Sequence, residues 1–297
     1  MISPFLIAHE FFDALPIYAF QSVPPQMASP GKVLETPTGP IPLSKKTSRS
    51  KESSWRELLV KTKEAKASAQ ILRKERTANE EFELTLAKAS TPTSSLLPKI
   101  SPRYEALRSL PNSTIEVSPD SHSYAADFAL RIGGAGPPSG SQTQSVTAQQ
   151  RQKLTPSGAA LIIDYGPADT VPISTLRGIQ AHRTVSPFTK PGQVDLSADV
   201  DFVALADAAL AASPGVEVHG PVEQGAWLEA MGIRARADMI SGGVEGDEER
   251  KKRVRAAVER LVERGRGGMG KLYKTMAIVP ERGGRRPVGF GGDLGGA

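Results

Sequence analysis

Cysteine is absent from all 297 residues. That removes disulfides, thiolate nucleophiles and cysteine-based zinc sites. The four histidines are scattered, with no HxxxH pair, so no metal site is expected from them either. No apolar run approaches the ~20 residues that a membrane span needs. Aromatic residues make up 5% of the chain against 39% hydrophobic residues in all, so the core must be largely aliphatic. A net charge of +5 is small for this length and gives no argument for nucleic acid as a partner. The opening stretch, Met1 to Phe12, is apolar but lacks a basic flank and carries His9 and Glu10. It reads neither as a signal peptide nor as a mitochondrial presequence.

What the chain has in quantity is glycine (28) and proline (24), which points to long irregular segments. Residues 21–54 are rich in Pro, Ser and Lys and read as loop. Residues 61–79 are rich in Ala, Lys and Glu and read as a solvated, charged helix inserted between two strands. Residues 134–156 read as a Gly, Ser and Gln-rich loop. Residues 281–297 read as a disordered Gly and Arg-rich tail. The remainder is taken as one α/β domain. Gly265, Gly267 and Gly270 fit GxGxxG, but helix precedes and strand follows, the reverse of a nucleotide-binding turn.

The informative stretch is ISPFLIAHEFFDALP, residues 2–16. Ile2 to Ala8 reads as a buried strand that runs into a polar turn at His9 and Glu10. In open α/β folds ligands sit outside the carboxyl ends of the strands. Glu10 and Asp13 therefore place two carboxylates where chemistry is usually done, although capping of a following turn would explain either acid. Further core strands are expected at 160–164 (GAALIIDYG) and 271–279, with shorter ones at 55–60, 80–88, 114–117 and 216–219. The periodicity of 55–60 fits a strand or a helix start equally. Ser118-Pro119-Asp120 is a strong helix start. Ser197 and Asp199 are cap candidates for a helix through Phe202, Leu205 and Ala209. Gln224 to Met231 reads as a helix stopped by Gly232, and 245–264 as a long charged helix. Arg177 and His182 fall in a loop, where no structural duty accounts for them.

AHEFFDALP resembles the segment after strand four in the MidA family of class I methyltransferases. The resemblance continues in order through WRE (55–57), IEVSPDSHSYAADFALRI (115–132), DYG (164–166), LRG (176–178) with His182, DLSADVDF (195–202), GPVEQGAWLEAMGI (220–233) and MGKLYKTMAIV (269–279). It implies a partial Rossmann-like sheet with strands four to seven and helices. Strands one to three, with the glycine-rich turn that holds S-adenosylmethionine, are not found, so the resemblance implies a fragment. It further implies a protein-arginine N-methyltransferase acting in assembly of respiratory complex I, in the mitochondrial matrix, with a complex I subunit as substrate. Under this resemblance Glu10 and Asp13 orient the guanidinium and His9 relays a proton. Phe11 and Phe12 stack on the cofactor or guanidinium, and Arg177 and His182 contact the substrate. The unpaired edge of the 2–8 strand would also favour a homodimer. A non-catalytic assembly scaffold, or an inactive truncated product, remains the alternative.

Overall fold

The computed structural model describes residues 3–25, 33–36, 39–42, 52–63, 81–134, 155–242, 248–265 and 267–292. In chain order the elements are β1 (Phe5–His9), β2 (Tyr18–Val23), β3 (Val33–Thr36), β4 (Gly39–Pro42), β5 (Ser54–Thr62) and β6 (Phe82–Leu86). Then come α1 (Pro92–Leu96), a 3-10 turn (Leu97–Ile100), α2 (Pro102–Leu107), β7 (Thr114–Val117), α3 (Pro119–Gly133) and β8 (Ala159–Tyr165). They are followed by β9 (Arg177–Gln180), β10 (Arg183–Val185), β11 (Asp195–Ser197), α4 (Phe202–Ala212) and β12 (Val216–Glu223). The last are α5 (Gln224–Ala230), α6 (Ile233–Gly242), α7 (Glu248–Val262) and β13 (Tyr273–Pro280). The chain divides into two units: residues 1–16, 118–177 and 195–297, and residues 17–117 and 178–194. One domain had been expected.

The first unit is built on a sheet in the order β1-β8-β13-β12. β1 and β8 run parallel, in register from Phe5↔Ala159 to His9↔Ile163. β13 lies antiparallel to both β8 and β12. Ala8, Ile162, Met276 and Ile278 line one face of this sheet. Ala125, Ala129 and Ile132 of α3 and Phe202, Leu205 and Ala209 of α4 complete that core. α3 starts where its caps dictate: the Ser118 hydroxyl accepts from the Ser121 N–H, with Pro119 in the first turn. α4 is capped by Asp201, which accepts from the Ala204 N–H at 3.1 Å. Ser197 and Asp199, the cap candidates from sequence, lie too early for this duty. α5, α6 and α7 share a smaller apolar cluster of Leu228, Ile233, Ala237, Val254, Val258 and Val262.

Two expectations for this unit are corrected. The near-continuous apolar run of β1 implied burial on both faces, yet Phe5 and Ile7 are 79% and 77% exposed. Only Leu6 and Ala8 meet the helices. Residues 281–292 were expected to be disordered and are instead held. Glu217 Oε1 accepts from the Arg282 and Gly284 N–H groups at 3.0 and 2.6 Å. The Phe290 ring is buried 6.3 Å from His219. Gly289, at φ 84°, leaves no room for a side chain: a Cβ there would fall 2.5 Å from Trp227. Residues 293–297 lie outside the described residues.

The second unit carries an antiparallel sheet in the order β6-β5-β2-β7. β2 is its centre, paired with β5 through Phe20↔Glu57 and with β7 through Tyr18↔Val117. Phe20, Trp55, Tyr104, Ile115 and Val117 are its buried large side chains. A reciprocal cap at Thr91 and Ser94 starts α1, and the Thr91 hydroxyl donates to Glu57 at 2.7 Å. The segment 21–54, expected as loop, begins inside β2 and contains the β3–β4 pair. Of 61–79, Lys61 and Thr62 continue β5, and 64–79 lie outside the described residues, as do 135–154 of the expected loop at 134–156. β9 and β10 form a hairpin whose two turn residues, Ala181 and His182, both have positive φ (48° and 60°), the geometry of a tight two-residue hairpin turn.

Because Phe290 closes the β12 side of the first unit, Phe290→Ala should lower unfolding free energy by ~3 kcal/mol. Urea titration followed by far-UV dichroism measures this. A change below ~0.5 kcal/mol would mean that the segment rests on the unit without stabilising it.

Candidate functional site at the carboxyl ends of β1 and β8

β1 and β8 end side by side, and the hydrogen bond from the Glu10 N–H to the Ile163 carbonyl (3.1 Å) continues their pairing by one residue. The chain then turns. Glu10 adopts φ 48°, a left-handed backbone that a non-glycine residue enters only when its surroundings impose it. What imposes it is Asp164, fully buried at the end of β8. One oxygen, Oδ2, accepts from the N–H groups of Phe11 (3.1 Å), Phe12 (2.9 Å) and Asp13 (3.4 Å). The other, Oδ1, accepts from the Tyr165 N–H at 2.9 Å. A single carboxylate thus fixes the loop that carries the expected site residues.

The structure sorts those residues. Glu10 remains half-exposed, and its Oε1 accepts a hydrogen bond from the Tyr273 hydroxyl at 2.5 Å. The Tyr273 and Tyr165 hydroxyls are bonded to each other, their rings 4.1 Å apart between centroids. His9, also half-exposed, places Nε2 3.9 Å from Glu10 Oε1. Asp13 turns inward and is buried. Burial pushes its carboxyl pKa up, and the charge of Glu10 adds to that. Phe12 is enclosed by the core and edge-on to Phe128, so its expected contact with a cofactor gives way to packing. Phe11 is half-buried, edge-on to Phe12 and to Tyr124.

Arg177 opens a strand rather than lying in a loop. Its Nη1 meets Asp199 Oδ1 at 2.6 Å and the Thr175 carbonyl at 3.1 Å, and its guanidinium lies 5.4 Å from the centre of the Tyr165 ring. Asp199 is therefore an ion-pair partner and not a helix cap. Its N–H donates to the Thr175 hydroxyl at 2.8 Å. His182 belongs to the second unit, exposed at the tip of the β9–β10 hairpin, where the turn itself accounts for it. Asp164, Tyr165 and Tyr273 were not singled out from sequence as site residues, and Asp199 was singled out only as a cap candidate. Only Asp164-Tyr165 carried a signal, as polar residues closing a buried strand.

With this geometry in hand, the comparisons with known proteins are decisive about family. Residues 2–222 match the model of a family of S-adenosyl-L-methionine-dependent methyltransferases, and the chain belongs to that family. Among curated relatives, the mouse (Mus musculus) protein arginine methyltransferase NDUFAF7, mitochondrial, is 26% identical over 276 residues, which is 93% of this chain and 46% of the relative. The homologue from Drosophila melanogaster is 26% identical over 93% of this chain and 47% of its own length. The chain thus spans about half the length of the curated relatives it matches. Among solved structures, a COG1565 superfamily protein of Burkholderia thailandensis bound to S-adenosyl-homocysteine aligns with a TM-score of 0.58 at 18% identity, over 97% of this chain and 56% of that one. The fold is therefore α/β and similar to that protein's.

The family's methyl donor is S-adenosylmethionine. The described residues do not show the glycine-rich cradle that such a donor would need. Among the described residues no strand passes through a glycine-rich turn into a helix, and β12, the strand followed at once by one, runs straight into α5. Gly270, of the GxGxxG look-alike, is glycine because a Cβ there would fall 2.1 Å from the Val262 carbonyl oxygen. Among the described residues no group of three or more acidic or histidine side chains could hold a metal ion, and no helix is long and apolar enough to cross a membrane.

Burial, with the charge of Asp13 beside it, pushes the Asp164 carboxyl up to about 7, against the backbone N–H groups that pull it down. The ordinary value is 3.8. Between these values the folded chain holds a proton that the unfolded chain releases. The contribution of Asp164 to stability is therefore full below the ordinary value, falls as pH rises to about 7, and is constant above. Asp164→Asn should remove that slope. It should also cost ~1–3 kcal/mol, because an amide presents N–H to one of the two sides that need an acceptor. Urea unfolding at pH 5 and pH 8, on both proteins, reads the difference. An unchanged slope in Asp164→Asn would show that other groups set it.

Proposed function

We propose that this chain forms the substrate side of a protein-arginine N-methyltransferase that serves assembly of respiratory complex I in the mitochondrial matrix. The observation that carries the reading is Glu10: a half-exposed carboxylate at the carboxyl end of β1, held in a left-handed backbone and gripped at one oxygen by Tyr273. Arginine as the modified residue is supported by the names of the relatives. The role in complex I assembly, with a subunit of that complex as substrate, rests on the resemblance of the motif blocks.

A guanidinium is charged at any physiological pH and is a poor nucleophile. A carboxylate hydrogen-bonded to one of its nitrogens draws positive charge toward that nitrogen and frees electron density on the others. In this reading Glu10 does so with Oε2, because Tyr273 already engages Oε1. In the same reading His9, with Nε2 3.9 Å from Glu10 Oε1, takes up the proton. Asp13 shapes the loop from within, its carboxyl disfavoured as an anion. Phe11 offers a half-buried ring beside the same turn. The donor supplies the methyl group when bound. The stretch that would hold its methionine and ribose parts is not seen among the described residues, and in this reading a complementing polypeptide segment supplies it. That segment pairs with the edge of β1, which has no strand beside it among the described residues and where Phe5 and Ile7 are exposed, and a second copy of this chain would compete for the same edge.

Calorimetric titration with S-adenosylmethionine tests the reading. The purified chain should show no micromolar affinity, because a one-walled site leaves most of the ligand in water, whereas tight sites bury roughly 70–90% of it. Adding the N-terminal half of the mouse relative should restore binding and allow methylation of an arginine peptide. Glu10→Ala should then lower transfer by ~100-fold with donor affinity unchanged. Micromolar binding by the monomeric chain alone would overturn the need for a complement. Methylation of lysine and not arginine would overturn the substrate.

A further inference from the structure

Resting on this use of Glu10, we propose that Tyr273 and Tyr165 are positioning residues for it, which engage Oε1 and so hold Oε2 ready to meet a guanidinium. Neither tyrosine is adjacent to Glu10 in sequence. Tyr273 comes from β13, 263 residues away, and Tyr165 ends β8.

A phenol carries one proton. Tyr273 gives its proton to Glu10 Oε1, which as a carboxylate oxygen can only accept. The bond between the two phenols must therefore use the proton of Tyr165. The order is fixed: Tyr165 donates to Tyr273, and Tyr273 donates to Glu10. Burial, and the hydrogen bond to Glu10, raise the pKa of Tyr273, so it stays a donor throughout the working pH range. Burial raises that of Tyr165 as well.

The far end of the chain of contacts is braced. Tyr165 lies under the Arg177 guanidinium, and Arg177 is held by Asp199 and by the Thr175 carbonyl. A cation over a ring face adds about 0.5–1 kcal/mol or more to such an arrangement. The Glu10 backbone is held separately, by the Ile163 carbonyl through its own N–H and by Asp164 through the next three. A glutamate normally spends its rotamer freedom on binding. Here both ends of the residue are fixed before any substrate arrives, which is the preorganisation that electrostatic catalysis requires. Arg177, whose guanidinium is engaged by Asp199, serves this brace and not the substrate.

Two readouts test the assignment on the full chain. In proton NMR, the Tyr273 hydroxyl should give a downfield resonance protected from solvent exchange, lost in Tyr273→Phe and in Glu10→Ala and shifted in Tyr165→Phe. In methyl transfer to an arginine peptide, with the complementing half added, Tyr273→Phe should lower kcat by about 10- to 100-fold, the value of a hydrogen bond to a charged group, with little change in KM. In a Glu10→Gln background the same substitution should cost nothing further. A wild-type chain without the resonance, or an equal loss in the Glu10→Gln background, would overturn the assignment while leaving the methyltransferase reading intact. A chain that shows the resonance but transfers no methyl to arginine would sink that reading, and the catalytic part of this assignment with it.

Discussion

The first unit depends on one buried carboxylate. Asp164 closes β8 and, with its two oxygens, satisfies four backbone N–H groups, three of them on the loop that leaves β1. A loop that turns away from a sheet edge loses its ladder partners, and unpaired buried N–H groups are costly. Asp164 replaces those partners. Through this the Glu10 backbone is forced into the left-handed region, and Phe12 is drawn into the core. The side chains that face outward at the turn are set by a residue that itself never reaches solvent.

That arrangement also explains the inequality between the two acids expected to work together. Glu10 and Asp13 are three residues apart, but the loop turns between them. Glu10 ends half-exposed against two phenols, and Asp13 ends beside Asp164, where two acids share a dry place. Burial and mutual repulsion disfavour ionising both. The geometry therefore leaves Glu10 as the acid that faces outward and keeps Asp13 and Asp164 as buried ones.

Much of the first unit was legible in the sequence. The runs at 2–8, 160–164 and 271–279 form one sheet, the first two parallel, because apolar segments bounded by turns have few other uses. The Ser118-Pro119 start of α3 was legible because caps are local chemistry. α6 was not, since IRARADMISG buries little beyond Ala237 and leaves Met239 77% exposed, too weak a stripe to read. The held tail at 281–292 was hidden because glycine-rich sequence signals loop, and only the tertiary contacts of Glu217, Trp227 and Phe290 keep it in place. At the candidate site, Glu10 stood out in the sequence because it follows the carboxyl end of a strand, and the structure does put it there, half-exposed. Tyr165 and Tyr273, 108 residues apart in sequence, did not stand out, because only the β8–β13 register brings them together. Asp199 was read as a cap because an acid before a helix is usually one, and here Asp201 had taken that place.

Register also relates the site to the open side of the sheet. Phe5, Ile7 and His9 alternate along β1 on the face opposite to Leu6 and Ala8. Pairing carries that face through Ile163 and Tyr165 of β8 to Thr275 and Tyr273 of β13. The phenols that grip Glu10 and the uncovered Phe5 and Ile7 therefore belong to one continuous surface, wet and apolar at β1 and dry at β13. Covering a large apolar side chain is worth roughly 1.5–3 kcal/mol, so a segment that covered Phe5 and Ile7 would gain from both. The same segment would raise a wall beside Glu10 and lower the dielectric around its single free oxygen, which strengthens any contact with a cation. Docking at the edge and readiness of the carboxylate are then coupled by geometry. A ligand that needs the walled site must favour the docked state by the same factor by which docking favours the ligand.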